Sequence, residues 1–228
     1  MKKIAVLSFV LIFAALLCIP AFADAQLELV ESSLIIYDDD DDGYFFARVA
    51  NTGDAAGYFD SGVLEILDAD GNAFITKNWI GSSPSGIYLE PGESTFVRYS
   101  IWEKSLLETR PSGFNYAPTV GKYGTKYSQI PCAAEFYFNP DDKYDNSVFI
   151  TFTNNTDGLM HGFEIVSALY DANDNLIYVR NSAPDAIAIH PGSSVTISHY
   201  IDSSLCEYLI NHNMVPTRVE AYVYLEND

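Results

Sequence analysis

The sequence predicts an all-β protein built of two tandem antiparallel β-sandwiches, each with one short helix near its end. Three observations lead to this prediction. Short runs of residues alternate between apolar and polar side chains, as half-buried strands do. Turn signals recur roughly every eight to twelve residues, which is typical of sandwiches. Finally, one pattern of strands and turns occurs twice along the chain.

The repeated pattern is a strand that ends in asparagine, a strand that ends in aspartate, and a Pro-Gly turn. Asn51 and Asp68 have the same spacing in the first copy as Asn154 and Asp171 have in the second. The turns are Pro91-Gly92 and Pro191-Gly192. Because a period of about 100 residues is the size of a domain rather than of a solenoid repeat, the pattern predicts two domains.

The predicted domains cover residues 26–120, the first copy, and residues 132–228, the second copy. The largely polar stretch 121–131 is predicted to be a linker. Residues 1–25 have a basic start, an apolar run and a small-residue cleavage site, which is the form of a secretory signal peptide. We therefore expect a secreted protein, either extracellular or at the cell envelope. No later stretch is long and apolar enough to predict a membrane span.

Alternation is clear in both copies. Phe45, Ala47 and Val49 share one face of a predicted strand, and Arg48 lies on the other. The equivalent inward residues of the second copy are Val148, Ile150 and Phe152. The closing strand of the second copy places Val219, Ala221, Val223 and Leu225 inward, and Tyr222 and Tyr224 outward.

Turn and helix signals complete each copy. Asp68 and Asp171 precede hairpin turns, and an aspartate in this place bonds nearby backbone N–H groups. A helix is predicted later in each copy, where Ser105 to Glu108 and Ser204 to Glu207 fit the S-x-x-E capping box.

These residues resemble the FxLYD domain, an immunoglobulin-like β-sandwich of exported bacterial and archaeal proteins. Its name motif corresponds to Ser167-Ala168-Leu169-Tyr170-Asp171, where the last three residues match and Ser167 replaces Phe. In the first copy, Leu64 to Asp68 keeps only the apolar character and the aspartate. The resemblance implies tandem immunoglobulin-like domains in an exported bacterial protein. The family has no general activity that the resemblance would carry over.

The charge argues against some classes of partner. The net charge is −19, and the loss of Lys2, Lys3 and Asp24 with the signal peptide takes it to −20. So acidic a surface disfavours nucleic acid and anionic lipid, which are themselves negatively charged. It favours solubility and allows cation binding.

The aspartate run is the candidate metal site. Asp38, Asp40, Asp42 and Gly43 fit the D-x-D-x-D-G opening of a calcium loop. An EF-hand needs a carboxylate at the twelfth position, which is Val49 here, so the EF-hand interpretation fails. A looser calcium site and a solvated acidic loop without metal both remain open. No other cofactor is predicted.

The cysteines and histidines of the mature chain are confined to the second copy. Cys132 and Cys206 could form a disulfide in an exported protein, or they could be buried, unpaired thiols. None of the histidines has a zinc-ligand spacing. His199 takes the place of Tyr99 on an inward strand face, which favours a core histidine with satisfied hydrogen bonds.

Aromatic residues are the candidates for binding, because sugar rings stack on exposed aromatic faces. The candidates are Trp79, Trp102, Tyr222 and Tyr224. Alternatively, the tryptophans pack at the edge of the core, and the outward tyrosines lie on a solvated or domain-contacting face. No Ser/His/Asp arrangement, Cys/His arrangement or G-x-S-x-G elbow stands out, so an enzyme is not predicted.

The sequence therefore predicts an exported, non-catalytic binding or adhesion protein. Its partner would be a cell-surface or extracellular protein or glycan. One alternative is a structural spacer or assembly component of a surface complex. Another is a calcium-dependent carbohydrate-binding module.

Overall fold

The computed structural model describes residues 24–38, 40–184 and 186–226. Most of the predicted signal peptide, residues 1–23, lies outside the described residues. The elements of the first copy are β1 (Leu27–Ile36), β2 (Asp42–Asn51), β3 (Gly57–Leu67), β4 (Ala73–Lys77), β5 (Ile87–Leu89), β6 (Ser94–Trp102), α1 (Ser105–Glu108) and β7 (Gly113–Gly121). After them come β8 (Tyr127–Ile130), β9 (Cys132–Tyr137), β10 (Ser147–Thr153), β11 (Phe163–Tyr170), β12 (Leu176–Ser182), β13 (Ser194–Tyr200), α2 (Ser203–Asn211) and β14 (Arg218–Glu226).

The strands form four sheets, and every pairing between named strands is antiparallel. One sheet has the order β1-β2-β6, and in another β3 pairs with β4, β5 and β7. The remaining sheets have the orders β13-β10-β9 and β12-β11-β14-β8. The predicted all-β class is therefore confirmed. Strand β8 lies within the stretch 121–131 that was predicted to be a linker, and it pairs with β14.

Aromatic contacts show which sheets face each other within each copy. Phe45 of β2 lies 5.5 Å from Phe114 and 5.0 Å from Tyr116 of β7, measured between ring centroids. In the second copy, Phe152 of β10 lies 5.1 Å from Phe163 of β11. In each case the inward face of one sheet covers the inward face of another, as alternation predicts.

A further contact joins the two copies. The face of β1-β2-β6 that points away from Phe45 packs on the sheet containing β12 and β14. Phe96 stacks on Tyr222 at 5.5 Å, and Arg48 lies 3.6 Å from the carboxylate of Glu220. Phe46, which follows Phe45 and points the opposite way, is also fully buried. Apolar residues of both copies therefore belong to one buried cluster.

The repeated asparagine holds the Pro-Gly turn. Asn154 is fully buried, and its side-chain amide donates to the carbonyls of Gly158 and Ile189, both at 2.8 Å. The backbone carbonyl of Asn154 accepts from the N–H of Gly192 at 2.8 Å. In the first copy, Asn51 donates to Ala55 and Leu89 and accepts from Gly92 in the same way.

The repeated aspartate closes the hairpin turn in both copies, as predicted. Oδ1 of Asp68 accepts from the N–H groups of Asp70 and Asn72, both at 2.9 Å. Oδ1 of Asp171 accepts from Asn173 at 2.8 Å and from Asn175 at 2.9 Å.

The predicted helices form, but the predicted serine caps are wrong. The N-cap of α1 is Lys104, which makes no side-chain capping bond. The N-cap of α2 is Asp202, whose carboxylate accepts from the N–H groups of Ser204 and Leu205. Asp202 lies closely after strand β13 and is itself a preferred capping residue, so the helix begins before Ser204. Neither helix of the described ranges is long and apolar enough to cross a membrane.

Candidate functional site

Trp79 and Trp102 project into solvent. Trp79 is 82% exposed and Trp102 is 78% exposed, although each carries a large apolar ring. Trp102 ends β6, and Trp79 lies in the segment that follows β4. Trp79 also has φ of 64°, a left-handed conformation that bulky residues rarely adopt. Strained backbone conformations are concentrated at functional sites. The exposure of both rings and the strain at Trp79 therefore indicate a candidate binding surface.

An ion pair brings the two tryptophans to one side of the molecule. Lys77 and Glu103 form a salt bridge between their side chains. Lys77 lies two residues before Trp79, and Glu103 directly follows Trp102. The segment after β4 also bridges to β6 through Ser82 and Val97.

Both copies add a cation to this side, and the second copy also adds an aromatic residue. Arg98, on the same face of β6 as Trp102, lies over the ring of Tyr44 at 4.7 Å. Arg180 of β12 lies over the ring of Tyr200 at 4.7 Å, and Tyr200 is 60% exposed. We call the surface formed by Trp79, Trp102, Tyr200, Arg98 and Arg180 the aromatic edge.

The topology explains why these residues lie on one side of the molecule. Strands β4, β6, β12 and β13 each lie at the end of their sheet. Contacts connect β6 with β12 and β12 with β13, so three of these edge strands run along one side of the stacked sheets. Arg98, Arg180 and Tyr200 were missed in the sequence analysis, because no local signal relates residues about 80 to 100 positions apart.

Tyr222 and Tyr224 are placed differently from the tryptophans. They point outward from β14 as predicted, but that face is covered by the first copy. Tyr222 stacks on Phe96, and Tyr224 is only 5% exposed. This corresponds to the domain-contacting alternative. A cleft of about 270 Å³ remains beside them, lined also by Arg48, Tyr88 and Gln129.

The described aspartates of the run, which exclude Asp39, do not gather into a three-carboxylate site. Asp38 lies 3.6 Å from Nε2 of His212, and Asp40 accepts from the N–H of Asp41. Asp42 belongs to β2 and is partly buried. Within the described ranges, which leave out Asp39, no group of three or more His, Cys, Asp or Glu side chains is placed to hold a metal ion.

Cys132 and Cys206 are free thiols that lie far apart. Cys132 is paired in register with Phe152, at one end of β10. The Cys206 thiol donates to the carbonyl of Ile201 at 3.9 Å, and the N–H of Ile201 donates to the carbonyl of Asn146, just before the other end of that strand. Six extended residues span about 20 Å, whereas the Cα atoms of a disulfide lie within about 7 Å. This arrangement excludes the disulfide that the sequence left open.

We expect unreduced protein to be alkylated at both Cys132 and Cys206 once it is unfolded. In the native protein, Cys206 should react far more slowly, because it is fully buried and burial raises its pKa to about 11. Alkylation followed by peptide mass spectrometry measures both results. Resistance of both cysteines to alkylation until a reductant is added would contradict the arrangement.

His199 is the satisfied core histidine that its position predicted. It is 2% exposed, with Nδ1 at 2.8 Å from the hydroxyl of Ser167 and Nε2 at 2.7 Å from that of Ser182. Burial, helped by the charge of Arg180, lowers its pKa to about 4. It is therefore neutral at pH 7.

The aromatic edge consists of exposed aromatic rings and half-buried arginines, which can stack on and hydrogen-bond to a partner. Comparison with known proteins gives no independent assignment: no model of a protein family matches the chain, and no curated protein matches it.

Proposed function

We propose that the protein is an exported, non-catalytic recognition protein that binds an extracellular or cell-envelope glycan through the aromatic edge. The observation that carries the proposal is the exposure of Trp79 and Trp102 on one side of the molecule. An indole left in water forfeits roughly 2–3 kcal/mol of burial free energy, which a ligand that covers it would recover. The carbon-bound hydrogens of a sugar ring offer a flat apolar face of matching size.

The two arginines add hydrogen-bond donors to the same edge. A guanidinium group carries five N–H donors in a fixed plane and can bind hydroxyl or carboxylate oxygens of a sugar. Each arginine is already held by an aromatic ring, which limits the rotamer entropy lost on binding. Because the rest of the surface is strongly acidic, these cations favour a neutral or acidic glycan at this edge.

We further propose that the four sheets form two tandem immunoglobulin-like sandwiches of the FxLYD type. Supporting this, each copy contributes its own pair of facing sheets and its own buried asparagine. The hairpin aspartate also makes the same bonds in both copies. Under this proposal, the repeated asparagine, aspartate and Pro-Gly turn maintain the fold of each copy. Recognition depends on residues that the two copies do not share.

A structural spacer is the second candidate, and the contact between the copies favours it. The hydroxyl of Tyr170 donates to Glu31 at 2.9 Å, and Arg48 lies 3.8 Å from Glu31 and 3.6 Å from Glu220. These polar contacts surround the stacked Phe96 and Tyr222. Such a broad joint would hold the copies at a fixed angle, as a spacer requires.

Replacing Trp102 or Trp79 by alanine should weaken glycan binding roughly tenfold each, about 1.4 kcal/mol, through loss of one stacking surface. Retention on insoluble cell-wall polysaccharide and on peptidoglycan, measured as a function of protein concentration, gives the affinity. Tyr144→Ala is the matched control, since Tyr144 is 77% exposed but lies outside the aromatic edge. None of these three substitutions should change the unfolding midpoint appreciably, because each replaces an exposed side chain.

Two outcomes would contradict glycan recognition. If wild-type protein is not retained on any polysaccharide, a protein partner or the spacer role becomes the better explanation. If Tyr144→Ala lowers retention as much as the tryptophan variants do, the loss is not specific to the aromatic edge, and the edge is not the binding site.

A further inference from the structure

The cleft of about 270 Å³ beside Tyr222 and Tyr224 is lined by residues of both copies. The first copy contributes the side chains of Arg48, Tyr88 and Glu93, and β8 and β14 contribute those of Tyr127, Gln129, Tyr222 and Tyr224. None of the residues of the aromatic edge lines it. Small-molecule sites occur preferentially at such contacts between domains, so the cleft is a second candidate for binding.

The pairing of β8 with β14 explains the aromatic wall of the cleft. Gln129 is the register partner of Tyr224, and Tyr127 is two residues before Gln129 on the same strand. Because alternate residues point to the same face, these three side chains and Tyr222 share one face of the ladder. The ring centroid of Tyr224 lies 6.2 Å from that of Tyr127 and 6.0 Å from that of Tyr222. The three rings therefore form a continuous surface.

The wall from the first copy is fixed in place. Nε of Arg48 donates to the hydroxyl of Ser94 at 2.9 Å, and Nη1 lies 3.6 Å from a carboxylate oxygen of Glu220. The N–H of Tyr88 donates at 3.1 Å to the carbonyl of Thr125, in the segment that leads into β8. The walls are thus joined by direct bonds, and a preformed cleft loses little conformational entropy when a ligand enters.

The polar groups of the lining suit a ligand that both donates and accepts hydrogen bonds. The guanidinium of Arg48 donates, whereas the carboxylate of Glu93 accepts, already from the N–H of Glu90 at 2.8 Å. The amide of Gln129 and the tyrosine hydroxyls can do both. Each hydroxyl of a sugar also donates and accepts, and the carbon-bound hydrogens of its ring can lie against an aromatic wall. The lining therefore matches a sugar.

The charges favour a neutral ligand. The lining itself holds one cation, Arg48, and one carboxylate, Glu93. The charged groups around it are Glu31 and Glu220 beside Arg48, Glu164 and Glu226 as the register partners of Tyr224 and Tyr127, and Lys126, whose Nζ lies 4.2 Å from the centre of the Tyr88 ring. An anion would meet these carboxylates, and a cation would meet the guanidinium of Arg48.

The volume limits the size of the ligand. Pockets for drug-sized molecules have volumes of roughly 300–1,000 Å³, so a cleft slightly below this range holds a single ring rather than a chain. We propose that the cleft binds one neutral hexose unit. The inference does not rest on glycan recognition by the aromatic edge, because the two sites share no residue.

The test is the binding of free glucose, galactose, mannose and N-acetylglucosamine to the purified protein. Isothermal titration gives the Kd, and saturation-transfer NMR detects the bound sugar directly. At least one of the four should bind with a Kd of about 1 mM or lower. Because free sugars are used, a failure of retention on polysaccharide would leave this result unaffected.

Two substitutions of Gln129 locate the sugar. Gln129→Ala removes the hydrogen bonds of one amide and should weaken binding roughly two- to tenfold. Gln129→Trp puts a larger ring into the cleft and should weaken binding at least tenfold. Gln129 is an exposed strand residue, so both variants should keep the urea midpoint of the wild type. Ala133→Trp is the matched control, because Ala133 is an exposed residue of β9 outside the cleft and should leave the Kd unchanged.

Three results would overturn the proposal. The first is that none of the four sugars binds at millimolar concentration. The second is that Gln129→Trp binds the sugar as tightly as Ala133→Trp, which would place it outside the cleft. The third is that the protein binds tetramethylammonium at the cleft and no hexose, which would assign the tyrosine rings to a cation.

Discussion

Replacing Asn154 by alanine is expected to destabilise the protein by about 3 kcal/mol. The side chain is fully buried and makes four hydrogen bonds: two amide donations, to Gly158 and Ile189, and two acceptances at Oδ1, from the N–H and hydroxyl of Thr156. Each buried group that loses its partner costs about 1–3 kcal/mol. Because Ile189 also accepts from Met160, the total should stay below the sum of four complete losses.

Urea unfolding followed by aromatic fluorescence measures this effect as a shift of the midpoint at constant slope. Asn155→Ala is the matched control, because the neighbouring asparagine is exposed and should change stability by less than about 0.5 kcal/mol. Asn51→Ala should cost about as much as Asn154→Ala, since its amide makes the equivalent two bonds. Equal midpoints for Asn154→Ala and Asn155→Ala would show that the buried amide does not stabilise the turn.

Acidification should destabilise the protein through His199. Its pKa is about 4 in the folded state and 6.5 in the unfolded state, so between these values the unfolded chain binds more protons. The stabilisation is complete above pH 6.5 and is lost as the pH falls from 6.5 to 4. A difference of this size corresponds to about 3 kcal/mol, with roughly 2 kcal/mol already lost at pH 5.

The unfolding free energy of the wild type and of His199→Gln, measured between pH 4 and pH 7.5, tests this expectation. Glutamine can hydrogen-bond to Ser167 and Ser182 but does not titrate, so the slope between pH 6.5 and pH 4 should become shallower. His190→Gln, which removes an exposed histidine, should keep the wild-type slope. Parallel profiles for His199→Gln and the wild type would assign the pH dependence to other groups.

The sequence alone determined most of the local structure. Alternation identified the inward residues of β2 and the buried Val223 of β14, because side chains of a strand point to opposite faces. The turn aspartates Asp68 and Asp171 were identified with their role, because an aspartate bonds N–H groups only a few residues away. These features depend on interactions between residues that are close in the chain, and such interactions can be predicted from the sequence.

Tertiary structure decided what covers each outward face. Alternation placed Tyr222 and Tyr224 outward, but it could not show that Phe96 of the first copy would lie against them. It also could not show that Phe46 would be buried on the face opposite Phe45. Period-2 patterning reports only that a residue points to one side of a sheet, and the neighbouring sheet is specified by contacts between distant residues.

The candidate sites divide in the same way. Trp79 and Trp102 could be selected by residue type. Their placement on the same side of the molecule depends on the Lys77–Glu103 ion pair, which joins two distant segments. The separation of Cys132 from Cys206 depends on the register of β9 with β10 and on the position of α2. The sequence therefore determined strands, turns and the repeat, because these follow from local patterns. Only the packing of the sheets decided which side chains meet, because that is set by burial between segments far apart in the chain.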